Sequence, residues 1–178
     1  MRRLLYLLPI LLVAALLAVF WHGLDPDRDP HALPSALIGK PVPALELASL
    51  QEGAAAVSLA ALKGQPVAIN FFASWCLPCR AEHPMLGKIA AEYGIKVIGI
   101  AYKDKPDDAK RFLGDLGDPF RAIGLDQTGR TAIEWGVYGV PESYFVDPAG
   151  IVRWRYAGPI TPDVLDAEVR PLLRRYAA

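Results

Sequence analysis

Two cysteines separated by two residues constrain this chain more than any other feature of its sequence. Cys76 and Cys79 are its only cysteines, and they lie between an apolar run and an amphipathic segment. The run at 66–72 has the length and composition of a buried strand, and 78–93 has apolar residues at helical spacing. The motif therefore falls where a predicted strand ends and a predicted helix begins.

This position favours redox chemistry. Unpaired backbone N–H groups and the helix dipole at the start of a helix stabilise an anion, and so favour a thiolate there. Cys76 is predicted to be the nucleophile. Cys79, one turn into the helix and less exposed, is predicted to resolve a mixed disulfide. Pro78 suits the first helical turn and stiffens the segment between the thiols.

Other interpretations of the cysteine pair are open. A zinc site needs four ligands, but the sequence has no second cysteine pair, and His83 alone does not complete the set. A structural disulfide across two residues closes almost no loop and adds little stability. Two buried, apolar cysteines would not require Trp75 and Pro78 beside them. We predict no metal ligand and no cofactor other than a redox-active disulfide.

The N-terminal segment predicts a membrane anchor. Residues 4–21 carry no charge, and as a helix they rise roughly 27 Å, about one hydrocarbon core. A cleaved signal peptide is the alternative, but Phe20 and Trp21 stand where small residues are expected. Arg2 and Arg3 precede the segment, so we expect a single pass through a bacterial inner membrane, with the rest of the chain in the periplasm.

Three regions are predicted along the chain. They are an anchor at 1–22, a tether at 23–36 that is rich in Asp, Pro and His, and a globular domain at 37–178. Without Arg2 and Arg3, the 19 basic residues become 17, against 19 acidic ones. No basic surface for nucleic acid is therefore expected.

The order of elements in the domain predicts an α/β fold. Strands and helices alternate, then a strand hairpin and a closing helix follow, which gives a mixed central sheet with helices on both faces. Strands are predicted at 42–47, 66–72, 95–102, 120–125, 143–146 and 151–156, and helices at 58–62, 78–93, 106–116, 128–135 and from Thr161 onward.

Two segments resemble the thioredoxin superfamily. The stretch Phe71-Phe72-Ala73-Ser74-Trp75-Cys76-Leu77-Pro78-Cys79-Arg80 resembles its active-site segment, and Gly139-Val140-Pro141 resembles its cis-proline loop. The resemblance implies that Pro141 follows a cis bond and packs against the disulfide. It also implies that Val140 pairs its backbone with an extended substrate. A simple turn proline is the alternative for Pro141.

The substrate-facing surface is assigned on the same grounds. With Val140, we expect Trp75 and Pro78, which flank the nucleophile, to contact the substrate.

Within the superfamily, residues 37–176 most resemble the membrane-anchored branch that serves cytochrome c maturation, the CcmG or DsbE type (TlpA-like). The stretches 33–43, 80–84 and 136–143 carry the resemblance, although Ser143 stands where the branch usually has Thr. It implies a reductase for the disulfide in the haem-binding motif of apocytochrome c, or for a maturation factor that holds it. Electrons would come from a membrane thiol carrier of the CcdA or DsbD kind.

The sequence offers two candidates for the group that accepts the proton of Cys79. Asn70 lies six residues before Cys76, where thioredoxins resemble one another in having a buried acid. A neutral amide cannot accept the proton that Cys79 must lose. Glu82 on the helix, or Glu142 beside the expected cis-proline, is therefore a candidate. The alternatives are a solvated helix residue for Glu82 and a loop charge for Glu142.

Three other functions compete with a dithiol reductase. A peroxiredoxin-type peroxidase would have Thr and Pro where this chain has Ala73 and Ile69. A disulfide-forming oxidant of the DsbA type is closer, because Leu77 and Pro78 do not give the direction of electron flow. A non-enzymatic factor that holds apocytochrome would use its thiols only incidentally.

Overall fold

The computed structural model describes residues 2–23, 35–62 and 64–176. The chain divides into two units, one ending at Ala32 and the other beginning at Leu33. Most of the predicted tether lies outside the described residues. The three predicted regions remain a prediction.

A helix, α1, occupies Arg2–Gly23 in the first unit. Its described side chains, from Leu8 onward, are exposed. Yet within the part of the chain that the structure describes, no helix combines the length and the apolar character needed to cross a membrane. The span predicted at 4–21 is therefore not confirmed.

The second unit contains strands and helices in the predicted alternation. The strands are β1 (Glu46–Leu47), β2 (Val57–Ser58), β3 (Val67–Phe72), β4 (Lys96–Tyr102), β5 (Ala122–Asp126), β6 (Glu142–Val146) and β7 (Val152–Ala157). The helices are a 3₁₀ turn (Leu59–Leu62), α2 (Leu77–Tyr93), α3 (Pro106–Leu116), α4 (Arg130–Glu134), α5 (Pro162–Val164), a π-helical turn (Leu165–Val169) and α6 (Arg170–Tyr176).

Five strands form a mixed sheet in the order β5-β4-β3-β6-β7. β3, β4 and β5 are parallel, β6 is antiparallel to β3, and β7 is antiparallel to β6. At the centre, Asn70 is in register with Gly99 on β4 and with Ser143 on β6. β1 and β2 form a separate antiparallel pair. The predicted mixed sheet is confirmed.

Side chains of β3 alternate between two buried clusters, one on each face of the sheet. Ile69 and Phe71 pack on one face with Trp135, which follows α4. Phe72 packs on the other with Leu86 of α2 and Phe112 of α3. Helices therefore cover both faces, as the element order predicts.

Local signals set several element ends. Gly94 ends α2 in the left-handed conformation, at φ 61°, which glycine adopts without steric cost. Thr161 begins α5, and its hydroxyl accepts the N–H of Val164 at 3.3 Å. The strand predicted at 42–47 is wrong over most of its length, because only β1 pairs there. Pro43 has no N–H to contribute to a ladder.

Candidate active site

The two cysteines lie at the junction of β3 and α2. Cys76 is the N-cap residue of α2, and its Sγ accepts the N–H of Cys79 at 3.1 Å. A disulfide bond joins Cys76 to Cys79. β3 ends in the fully buried Phe71 and Phe72, so the loop that presents the disulfide starts from a fixed point in the core.

An exposed rim surrounds the buried disulfide. Cys76 and Cys79 are 4% and 1% exposed, whereas Trp75 and Leu77 are 61% and 78% exposed. Pro78 is exposed as well. A partner that approaches the Cys76 sulfur therefore meets apolar side chains first.

The proline loop faces the disulfide. The Val140–Pro141 peptide bond is cis, as the resemblance implies. The carbonyl oxygen of Val140 lies 3.4 Å from the Sγ of Cys76. The structure thus brings Val140 next to Cys76, the predicted nucleophile. Its role in binding a substrate stays a prediction.

Glu82 is a buried acid on the same face of α2 as Cys79, since residues three apart on a helix are neighbours. It is 1% exposed. Its carboxylate accepts the amide N–H of Asn70 at 2.8 Å and the backbone N–H of Ile160 at 2.9 Å. Burial raises the pKa of Glu82 to about 7, although these two hydrogen bonds act to lower it. Glu82 is therefore not a solvated helix residue.

Asn70 links the acid to the sheet. Its Nδ2 donates to Glu82 and, at 3.0 Å, to the hydroxyl of Ser143. Its Oδ1 has no hydrogen-bond partner among the described residues. The amide, at the position where thioredoxins have their buried acid, thus holds the carboxylate of Glu82 in place.

Glu142 belongs to a different buried network. It is fully buried and pairs with Arg155, whose Nε lies 2.8 Å from its Oε1. The Tyr144 hydroxyl donates to the same oxygen, and the N–H of Tyr138 donates to Oε2 at 3.0 Å. Burial and the adjacent carboxylate raise the pKa of Tyr144, so this hydroxyl stays a donor. Glu142 ties the proline loop to the sheet.

Sequence reasoning missed Arg155 and Tyr144. They lie opposite each other on β7 and β6, and Arg155 stacks beneath the ring of Tyr138, 4.8 Å from its centroid. The sequence did offer one signal for a buried charge: Arg155 stands between Trp154 and Tyr156 in a predicted strand.

His83 is a packing residue. It is 4% exposed, its Nε2 lies 2.8 Å from the carbonyl oxygen of Gly117, and its ring meets Phe112 edge to face. Among the described residues, no group of three or more His, Cys, Asp or Glu is arranged to hold a metal ion.

Known proteins are similar to this chain in sequence and in fold. The redoxin family model matches residues 37–170. The thiol:disulfide interchange protein HelX of Rhodobacter capsulatus is 39% identical over 97% of both chains. DsbE of Escherichia coli K12 is 39% identical over 99% of this chain and 97% of its own. A secreted thiol-disulfide isomerase from Corynebacterium glutamicum, with 26% identity, superposes with a TM-score of 0.67 over 84% of this chain and 95% of its own.

The family model spans the second unit from before β1 into the C-terminal helical segment, and so includes the disulfide and the cis-proline loop. The chain belongs to the redoxin family and, within it, to the thiol:disulfide interchange proteins of the DsbE, CcmG and HelX type, which makes it a thiol–disulfide oxidoreductase.

Proposed function

We propose that the protein is a membrane-anchored periplasmic dithiol reductase of cytochrome c maturation. The observation that carries the proposal is the placement of Glu82 on the helix face of Cys79. Release of a reduced substrate requires Cys79 to lose its proton, and a buried carboxyl with a pKa of about 7 accepts a proton near neutral pH. The resemblance to the cytochrome c maturation branch supports the choice of substrate.

The reaction has two exchange steps. The Cys76 thiolate attacks one sulfur of a substrate disulfide, forms a mixed disulfide, and releases the other substrate sulfur as a thiolate. Cys79 then gives its proton to Glu82 and attacks the Cys76 sulfur. The Cys76–Cys79 bond forms, the mixed disulfide breaks, and the second substrate thiolate leaves. Two electrons have passed from the protein to the substrate.

The proline loop would hold the substrate in an extended form. The backbone of Val140 pairs with a substrate strand beside Cys76, and Trp75 and Pro78 contact its side chains. The Glu142–Arg155 ion pair keeps the loop in place from below. Glu142 acts as an anchor for the loop, while Glu82 handles the proton.

The proposal also includes a membrane anchor and a source of electrons. Residues 4–21 would hold the domain at the periplasmic face of the inner membrane, where a thiol carrier of the CcdA or DsbD kind returns it to the dithiol form. The uncharged stretch after Arg2 and Arg3 supports this arrangement. Extraction of cell membranes at alkaline pH tests it, because an anchored chain stays with the lipid and a cleaved one does not.

A trapping experiment tests the substrate and the roles of the thiols. The full chain with Cys79→Ser is mixed with an oxidised peptide that carries a Cys-x-x-Cys-His haem motif. A mixed disulfide through Cys76 is expected to accumulate, because the resolving thiol is gone. Cys76→Ser serves as the control and should trap nothing. Equal trapping of a peptide with the same disulfide in scrambled flanking sequence would contradict a dedicated role in cytochrome c maturation.

A further inference from the structure

The loop after β4 is hydrogen-bonded to the active-site loop, the segment between β3 and α2. β3 and β4 are parallel neighbours, so the loops that follow them meet at the same edge of the sheet. Asp104, in the loop after β4, is 5% exposed. Its carboxylate accepts the N–H of Ser74 at 2.6 Å and the hydroxyl of Ser74 at 2.8 Å. The N–H of Lys105 donates a third hydrogen bond to it at 2.9 Å.

A second contact joins the same two loops. The indole Nε1 of Trp75 donates to the carbonyl oxygen of Lys103 at 3.4 Å. Among the described residues, Lys103 is the one non-glycine residue with a positive φ, at 46°, a conformation that few such residues adopt. The loop therefore has a defined shape that directs Asp104 at Ser74, and the distance from its carboxylate to the nucleophile is set by the fold.

The surroundings of Asp104 suit a buried carboxylate. The N–H groups of Ser74 and Lys105 can only donate, which suits an ionised carboxylate. In the described part of the chain, no ion pair includes Asp104. The basic residues of this loop and of the first turn of α2 are engaged elsewhere or exposed: Lys103 lies over the ring of Tyr102, Arg80 pairs with Asp115, and Lys105 faces solvent.

We infer that Asp104 is a positioning residue that also sets the redox balance of the Cys76–Cys79 couple. Asp104 holds Ser74, two residues before Cys76, so its charge lies within roughly 10 Å of the Cys76 sulfur. The N–H groups at the start of α2 stabilise a Cys76 thiolate, and a fixed negative charge opposes them. Reduction of the disulfide yields this thiolate. The charge therefore disfavours the reduced form and keeps the couple reducing.

This inference depends on the thiol–disulfide chemistry of the family and not on the proposed substrate. It holds for any direction of electron flow in the cell, because it concerns the equilibrium of the protein's own disulfide. A failure of the peptide-trapping experiment would leave the inference about Asp104 intact. A failure of the Asp104 experiment would likewise leave the proposed substrate intact.

The test is Asp104→Asn in the full chain, equilibrated with glutathione buffers. The equilibrium constant should shift at least about threefold toward the reduced protein, or about 15 mV, since a tenfold change is about 30 mV. The pKa of the Cys76 thiol, measured by alkylation rate against pH, should fall in the same variant. Asp107→Asn is the matched control: it removes the same charge from an exposed position in the first turn of α3 and should shift neither quantity by half as much.

Ser74→Ala separates charge from loop geometry. It removes one hydrogen bond to Asp104 but leaves the charge, so it should move the equilibrium constant less than Asp104→Asn does. If Asp104→Asn does not fold, Asp104→Ser is the second neutral variant, with the same expected shift. The inference is overturned if the neutral variant matches the wild type in both quantities, or if Ser74→Ala shifts them equally far.

Discussion

Asn70, at the position where thioredoxins have a buried acid, is hydrogen-bonded to the buried carboxyl of Glu82, our proposed proton acceptor. The amide sits at the centre of the sheet and the carboxyl on the helix above it, joined by a 2.8 Å hydrogen bond. Burial raises the pKa of this carboxyl, and its described hydrogen-bond partners, Asn70 and Ile160, are uncharged, so its protonated form is favoured in the folded state. Proton binding by Glu82 can therefore be measured through the pH dependence of the free energy of unfolding.

The contribution of Glu82 to the free energy of unfolding should fall as the pH rises from about 4.5 to about 7. The folded protein holds the Glu82 proton up to a pKa of about 7, against 4.5 for an ordinary Glu. Between these two pH values the folded state binds more protons than the unfolded state does. The stabilisation that the Glu82 proton provides is therefore full below pH 4.5 and lost above pH 7. The difference is about 3 kcal/mol.

Denaturant unfolding of Glu82→Gln beside the wild type at pH 5 and pH 8 checks this. The free energy of unfolding of the variant should lack the part of the pH dependence that comes from Glu82. The variant should therefore be more stable relative to the wild type at pH 8 than at pH 5. An identical pH dependence in both proteins would show that Glu82 titrates normally.

Glu142 should matter for stability more than for thiol chemistry. Glu142→Gln leaves the buried Arg155 without its counter-charge, and breaking such a pair costs about 3–5 kcal/mol. Unfolding measurements should show most of this loss reversed when Arg155→Met is added, because both charges are then gone. Thiol titration is the second readout: if Glu142→Gln changes the Cys79 titration as much as Glu82→Gln does, the two acids share the proton.

At the level of elements, close packing of β4 against the rings behind the active-site loop holds Phe72 in place. Phe72 stacks on Phe120 with ring centroids 4.9 Å apart. A Cβ added at Gly99 would lie 2.9 Å from Phe72 and 3.0 Å from Phe120. Since Phe72 ends β3, a displacement there reaches the loop that carries Cys76.

Gly99→Ala should therefore destabilise the protein by about 1–3 kcal/mol through overpacking. Gly87→Ala is its counterpart in α2, where nothing lies within 4 Å of the added atom. That change should stabilise the protein by about 0.5–1 kcal/mol through helix propensity. Thermal unfolding of the two variants compares them directly. A neutral Gly99→Ala would mean that the rings move aside freely.

The sequence predicted those elements whose signals are local. Apolar runs and cap residues placed β3, α2 and α5, and the spacing of Cys76 and Cys79 placed the redox pair. The partners of Glu82 could not be predicted this way, because Ile160 is 78 residues distant along the chain. The same holds for Arg155, which meets Glu142 only through the pairing of β6 with β7. Long-range contacts decide whether a charged residue is buried, and no local pattern records them.

At the scale of the whole molecule, the sheet brings three chain segments to one edge: the loop after β3, the loop after β4 and the loop before β6. They supply Cys76, Asp104 and the cis-proline, respectively. The fold thereby combines a thiolate-stabilising helix end with a buried carboxylate that opposes it. In our account, these two opposing effects tune the reduction potential of the Cys76–Cys79 couple.

The reduction potential of the Cys76–Cys79 couple in the full chain tests this account most directly. Equilibration with defined thiol buffers, followed by alkylation of free thiols, measures it. A dithiol reductase is expected to have a value below about −200 mV, toward the thioredoxin end of the scale. A value near about −120 mV would make the protein an oxidant and contradict the proposed direction of electron flow.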